Sequence, residues 1–261
     1  MASESVRQPV LQVSRLSKSF RGLLALRFVD LQLFPGEILG VIGPNGAGKT
    51  TLFNCLTGYI APSTGRILFQ QHDITRLRTP AIVRLGIART FQNSRLFGTL
   101  SALDNVRVAQ QLRVRFSFPE VLVNTKSAQR KEDSLTERAL AHLELFGLRQ
   151  HADQLAMNLP YGAQRRLEIA RALATDPQVL LLDEPAAGMN TTETDALHEM
   201  ILEVRRRFNV SIVLVEHDMR LVMNMCERIV VLNYGEVIAE GDPAAVRQNP
   251  AVIESYLGKV H

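Results

Sequence analysis

The stretch Gly43-Pro44-Asn45-Gly46-Ala47-Gly48-Lys49-Thr50 constrains this chain more than any other, because it satisfies G-x-x-x-x-G-K-[ST] at every fixed position. Glycines let successive backbone N–H groups turn inward around an anion. Lys49 brings a point charge to phosphate oxygens, and the Thr50 hydroxyl is a hard ligand suited to Mg²⁺. Such a loop needs a strand before it and a helix after it. Glu37 to Ile42 is a short buried-strand run, and Thr51 leads Leu52-Phe53-Asn54-Cys55-Leu56 into a helix whose N-terminal dipole faces the same anion. A nucleoside triphosphate is the expected ligand.

A second element fits the first. The apolar run Val179-Leu180-Leu181-Leu182 ends in Asp183-Glu184-Pro185, so two carboxylates follow a buried strand. At that position Asp183 can hold Mg²⁺ opposite Thr50, while Glu184 is free to polarise a water for in-line attack on a γ-phosphate.

Around these motifs the chain reads as mixed α/β. Val10–Val13 and Leu26–Phe34 are strand-like and joined through a turn at Ser19–Gly22, which predicts an antiparallel β layer. Pro62–Gly65 breaks the chain, and Arg66–Phe69 returns as a strand. From about Ser101 to Gly147 the β signal vanishes, with one short helix marked by Leu103, Val106 and Ala109 and another ending at Ala139–Phe146. Arg113–Lys126, basic and aromatic, reads as a loop or kinked helix. Strands return at Val179–Leu182 and Ser211–Val215 around an amphipathic helix at Asp195–Arg207. A strand pair at Arg228–Leu232 and Glu236–Ala239, turning at Asn233-Tyr234-Gly235, precedes a helical tail. The expected organisation is a nucleotide-binding core, residues 8–100 and 176–261, interrupted by a helical subdomain at 101–175.

No apolar run reaches the roughly 18 residues that span a bilayer, and the N-terminus lacks the basic-then-apolar order of a signal peptide, so a cytoplasmic location is expected. Cys55 and Cys226, the two cysteines, sit at packing positions without metal-ligand spacing and read as reduced core thiols. A net charge of +4 fits an anionic partner, but the charges are scattered.

The order of motifs resembles the ATP-binding cassette (ABC) family. Leu159-Pro160-Tyr161-Gly162-Ala163-Gln164-Arg165-Arg166-Leu167-Glu168-Ile169-Ala170-Arg171 is similar to its signature helix, with Pro160 for the usual serine and Ala163 for the usual glutamine. Backbone donors at Tyr161, Gly162 and Ala163 are then left to face a partner's nucleotide, with Pro160 expected in the first helical turn. The resemblance also implies that Gln92 senses Mg²⁺ and the attacking water, that His217 contacts the γ-phosphate, that Phe20 stacks on adenine, and that the loop ending at Asn190 crosses between subunits. It implies a P-loop fold with a mainly parallel sheet, an N-terminal antiparallel β layer and an inserted α-helical subdomain, working with ATP and Mg²⁺.

Within that family the wording is similar to the ATP-binding subunits of branched-chain amino-acid importers, in Arg89-Thr90-Phe91-Gln92, in Glu184–Asn190, in Glu216-His217-Asp218-Met219 and in the ending Pro250–Gly258. The implied partners are a second ATPase subunit, two transmembrane permease subunits and, indirectly, a periplasmic substrate-binding protein, with no nucleic acid. The implied place is the cytoplasmic face of the inner membrane. Lipopolysaccharide-export and urea-import ATPases are the nearest alternatives. A soluble cassette ATPase acting on nucleic acid or ribosomes is a more distant one, because residues 93–158 carry no heptads.

Overall fold

A computed structural model describes residues 7–90, 95–112 and 126–257. They divide into two compact units, which do not follow the expected boundaries. The first comprises described residues up to Ile87, then Gln178–Glu184 and Leu202 onward; the second takes Ala88–Pro177 and Pro185–Ile201.

The first unit holds two sheets. β1 (Leu11–Phe20) and β2 (Leu23–Leu33) pair antiparallel, and β4 (Thr64–Phe69) and β5 (His72–Asp73) extend the layer in the order β2-β1-β4-β5. β1 runs well past the expected Val13 because its pairing slips between Val13 and Leu16 and again between Leu16 and Lys18. Arg15 and Phe28 take positive φ there, and these bulges break the two-residue alternation on which strand reading depends. The larger sheet contains β3 (Ile38–Ile42), β7 (Val179–Asp183), β8 (Ser211–Val215), β9 (Arg228–Asn233), β10 (Glu236–Gly241) and β6 (Ile87–Arg89), of which only Ile87 counts with the first unit, in the order β10-β9-β3-β8-β7-β6. β3, β7 and β8 are buried at every residue, as strands of a parallel sheet covered on both faces must be. β3 lies parallel between β8 and β9, while β10 returns antiparallel on β9.

The two layers share a core. Leu11, Leu16 and Leu31 of the antiparallel sheet, Leu39, Leu181 and Val213 of the parallel sheet, and Phe53 and Leu56 of α1 (Lys49–Leu56) belong to one buried cluster. A helix absent from the sequence reading, α2 (Thr79–Leu85), precedes β6; with Pro80 in its first turn and so short a span, it has no amphipathic period to read.

The second unit is helical. α3 (Ala102–Gln110) packs on α4 (Lys126–Leu145) and on α5 (Tyr161–Leu173), burying Val106, Leu135, Ala139, Leu143 and Leu167. Ser101 caps α3 by accepting from Asp104 N–H at 3.0 Å. Asn105, fully buried, donates to the Phe97 and Ser101 carbonyls and accepts from Phe97 N–H, which fixes the turn before the helix. α6 (Thr191–Phe208) starts in this unit, capped by Asn190, whose Oδ1 accepts from Glu193 N–H at 3.0 Å. α7 (Met219–Met225), α8 (Pro243–Gln248) and α9 (Pro250–Leu257) belong to the first unit.

Candidate active site

The phosphate-loop residues lie between the end of β3 and the start of α1. Gly43 has φ 149°, and a Cβ there would stand 2.1 Å from the Leu232 carbonyl oxygen of β9, so no other residue fits. Gly48, the N-cap, has φ 108°, and its Cβ would meet the Ala25 carbonyl at 2.7 Å. The loop is clipped from outside: Gly235 N–H donates to the Ala47 carbonyl at 2.9 Å, while Arg27 N–H of β2 donates to the Gly235 carbonyl at 2.8 Å. The turn between β9 and β10 therefore joins the loop to the antiparallel layer.

Helix α1 begins at Lys49, two residues before the expected Thr51, so Lys49, Thr50 and Thr51 all stand in its first turn. That turn carries no acidic residue of its own. Lys49 is 7% exposed, and its ammonium donates to the Gly43 carbonyl at 2.6 Å and the Pro44 carbonyl at 3.1 Å. Burial lowers its pKa from the usual lysine range, outweighing the attraction of Glu184 and Asp183, which acts to raise it. Asp183, at the end of β7, is 4% exposed.

Glu184 continues the ladder for one residue, its N–H donating to the Val215 carbonyl at 2.8 Å, and then takes φ 48°. A side chain in the left-handed region costs about 1 kcal/mol or more, a cost seen where the surroundings fix a working geometry. Here the conformation accompanies a 2.6 Å contact between Glu184 Oε1 and His217 Nε2. His217 stands two residues past the end of β8, after Glu216, and Asp218 caps α7 by accepting from Arg220 and Leu221 N–H. Carboxylate, imidazole, ammonium and the N-terminus of α1 thus all belong to the first unit. An anion fits this cradle: a loop whose glycines hold positive φ, a buried ammonium and a helix start. Asp183 and Thr50 offer the hard oxygen donors that Mg²⁺ selects.

Phe20 ends β1 rather than lying in a turn, is 44% exposed, and stacks under the Lys18 ammonium 5.0 Å from its ring centre. Gln92 and its neighbours Phe91 and Asn93 lie outside the described residues.

In the second unit, Pro160 is the N-cap of α5, with φ −53° and ψ 150°, not a residue of its first turn. Its carbonyl accepts from Gln164 N–H at 3.0 Å, so the helix starts at Tyr161 with the N–H groups of Tyr161, Gly162 and Ala163 in the first turn. A Cβ on Gly162 would lie 2.9 Å from Glu193 Oε1, the end of a flexible side chain that would have to shift to admit it.

The profile of the ABC transporter family matches residues 26–187, which contain the phosphate loop, the signature-like helix and the β7 carboxylates. The chain belongs to the ABC transporter family. It is a nucleotide-binding ATPase subunit of the cassette type. A second profile, named for a branched-chain amino-acid ATP-binding cassette transporter, matches residues 236–261. The chain is 48% identical over 252 residues to the high-affinity branched-chain amino acid transport ATP-binding protein LivG of Escherichia coli K12, covering 97% of this chain and 99% of that one. It is 46% identical to BraF of Pseudomonas aeruginosa over the same share, and 36% identical to the lipopolysaccharide export ATP-binding protein LptB of Acidithiobacillus ferridurans, over 95% of this chain and 97% of that one. Among solved structures, the ADP conformation of MJ1267, an ATP-binding cassette of an ABC transporter, superposes with a TM-score of 0.83 at 30% identity, covering 97% of this chain and all of that one.

Two features of the cassette escaped the sequence. The clip at Gly235 is a long-range backbone contact with no motif of its own. The Tyr161 side chain, read only for its backbone, donates through its hydroxyl to the Ala187 carbonyl at 2.9 Å. Its signal was the spacing of Tyr161, Arg165 and Glu168 along one helix face.

Proposed function

We propose that this cassette hydrolyses ATP to power an importer of branched-chain amino acids. The observation carrying the substrate class is the 48% and 46% identity, over nearly whole chains, to proteins named for branched-chain amino-acid transport, against 36% to one named for lipopolysaccharide export. The ending that matches the branched-chain profile supports the same reading.

In this reading the first unit holds the nucleotide and the second engages partners. The N–H groups of residues 43–51 and the Lys49 ammonium bind the phosphates, and Phe20 stacks on the adenine. Thr50, Asp183 and Gln92 hold Mg²⁺, which neutralises charge between phosphate oxygens when bound. Glu184 takes a proton from the attacking water, and His217, hydrogen-bonded to it, orients the carboxylate and faces the γ-phosphate. Because Tyr161, Gly162 and Ala163 start a helix, their N–H groups are donors for the nucleotide of a second cassette, and the loop ending at Asn190 lies against that partner. Phe97, 49% exposed and held in place by the Asn105 contacts, marks the surface that docks a permease subunit. No helix of the described residues is long and apolar enough to cross a membrane, in keeping with a peripheral subunit on the inner face.

The test is reconstitution with the permeases and binding protein in liposomes, reading phosphate release and uptake of labelled leucine. Leucine-loaded binding protein should stimulate hydrolysis, and Lys49→Ala should remove both hydrolysis and uptake. Hydrolysis that ignores every branched-chain amino acid would refute the substrate class.

A further inference from the structure

In the second unit a single face of α5 carries an unbroken row of polar contacts. Tyr161 Oη donates to the Ala187 carbonyl at 2.9 Å and accepts from Arg165 Nε at 2.9 Å. Arg165 Nη1 donates to Glu168 Oε2 at 3.0 Å, and Glu168 Oε1 accepts from Arg95 N–H at 3.0 Å. Arg171, one turn further on, donates to the Arg95 carbonyl at 2.6 Å and stands over the Phe97 ring at 5.6 Å. Arg165 and Glu168 are 5% and 3% exposed. Gly188, at φ 79°, closes on the tyrosine ring so tightly that a Cβ would lie 3.0 Å from it.

The row has a fixed direction, because the hydroxyl gives its proton to Ala187 and its lone pair to Arg165. Its ends are informative. Ala187 belongs to the loop that leads from Glu184 to Asn190, and Arg95 follows Gln92 by three residues in the sequence. A buried ion pair is a poor source of stability, since well-packed apolar side chains usually serve as well, and its use is to specify one geometry.

We propose that Tyr161, Arg165 and Glu168 are positioning residues that lock the 186–190 loop and the backbone at Arg95 to the start of the signature-like helix, and so set the turnover of the assembled ATPase. The relay holds the backbone donors of α5 and the crossing loop in one register, so that both reach the partner's nucleotide together. It rests on the reading that α5 faces a second cassette.

The experiment compares Tyr161→Phe, Glu168→Gln and the double variant, in the isolated chain and in the reconstituted transporter. Tyr161→Phe removes only the hydroxyl and keeps the ring under Gly188. We expect kcat for ATP to fall roughly tenfold or more, in line with loss of a hydrogen bond to a charged group, with KM unchanged. ATP affinity of the isolated chain should stay at the wild-type value, while its melting temperature drops by a few degrees because buried Arg165 loses a hydrogen-bond partner. Glu168→Gln keeps an acceptor for Arg95 and loses the charge, and its loss should not multiply with that of Tyr161→Phe, since both break one row. An unchanged kcat well below the melting temperature, a change confined to KM, multiplicative losses, or a loss of ATP affinity in the isolated chain would each overturn the relay. Wild-type complex that hydrolyses ATP without responding to branched-chain amino acids would sink the substrate assignment and leave this comparison intact.

Discussion

Replacing Glu184 by glutamine separates what this residue does for the fold from what it does for the reaction. Gln keeps the side-chain length and meets the same φ of 48°, so the backbone cost is common to both forms. Its amide oxygen can still accept from His217 across the 2.6 Å contact. The contact it replaces has the His217 side chain 46% and the Glu184 side chain 15% exposed, so solvent weakens it and its contribution to stability is about 0–1 kcal/mol. For a chain of this size that is a melting shift of no more than roughly 2–4 °C. A positioned general base contributes about 10²–10⁴ in rate, or about 3–5 kcal/mol of barrier. Turnover should therefore collapse at least a hundredfold while the fold barely responds. Steady-state phosphate release by the reconstituted complex reads the first, and calorimetry on the isolated chain reads ATP binding, which should persist. Adding His217→Ala to Glu184→Gln should cost little more if the two act as a unit. Phosphate release within tenfold of wild type would remove Glu184 from the chemistry, and multiplicative losses would separate it from His217.

Two further outcomes follow from the geometry. Gly43→Ala drives a methyl into the Leu232 carbonyl, whereas Gly46→Ala, with φ 80° and nothing within 4 Å, meets only the left-handed backbone cost of about 1 kcal/mol. Thermal melts should show a loss of several degrees for Gly43→Ala, with ATP binding abolished, and a small one for Gly46→Ala. Burial raises the Cys55 thiol to about 11 and the Cys226 thiol to about 12, above their usual 9.0, so the native state keeps protons that the unfolded chain releases. Stability is then fully present below pH 9 and falls as pH rises towards those values, by about 1.4 kcal/mol per pH unit per thiol; denaturant titrations of wild type and Cys226→Ala between pH 8 and 11 should show a shallower decline in the variant.

The parts legible in the sequence are those whose physics is local. β3, β7 and β8 announce themselves because burial on both faces demands consecutive apolar residues, and the phosphate loop because only glycine tolerates its backbone. The thiols of Cys55 and Cys226 are buried, as their packing positions suggested. Position within a turn was less legible: Pro160 stops one residue short of the helix, since the same fixed φ that suits the first turn also suits the extended residue before it. The strained backbone of Glu184 and the clip at Gly235 are set by neighbours distant in sequence, and periodicity carries no trace of them, whereas the row on α5 left only the helical spacing of Tyr161, Arg165 and Glu168.

That clip has a consequence for biosynthesis. β3 is made early, yet both its sheet neighbours, β8 and β9, and the Gly235 amide that secures the loop come from the last part of the chain. At about 5–20 residues per second a ribosome needs roughly 10–40 s to bridge that interval. Throughout it the apolar strand has no edges to pair with and the glycine loop has no fixed shape. A nascent cassette is therefore expected to bind ATP only once Gly235 has been made, which nucleotide capture by ribosome-stalled chains ending before and after that residue would check.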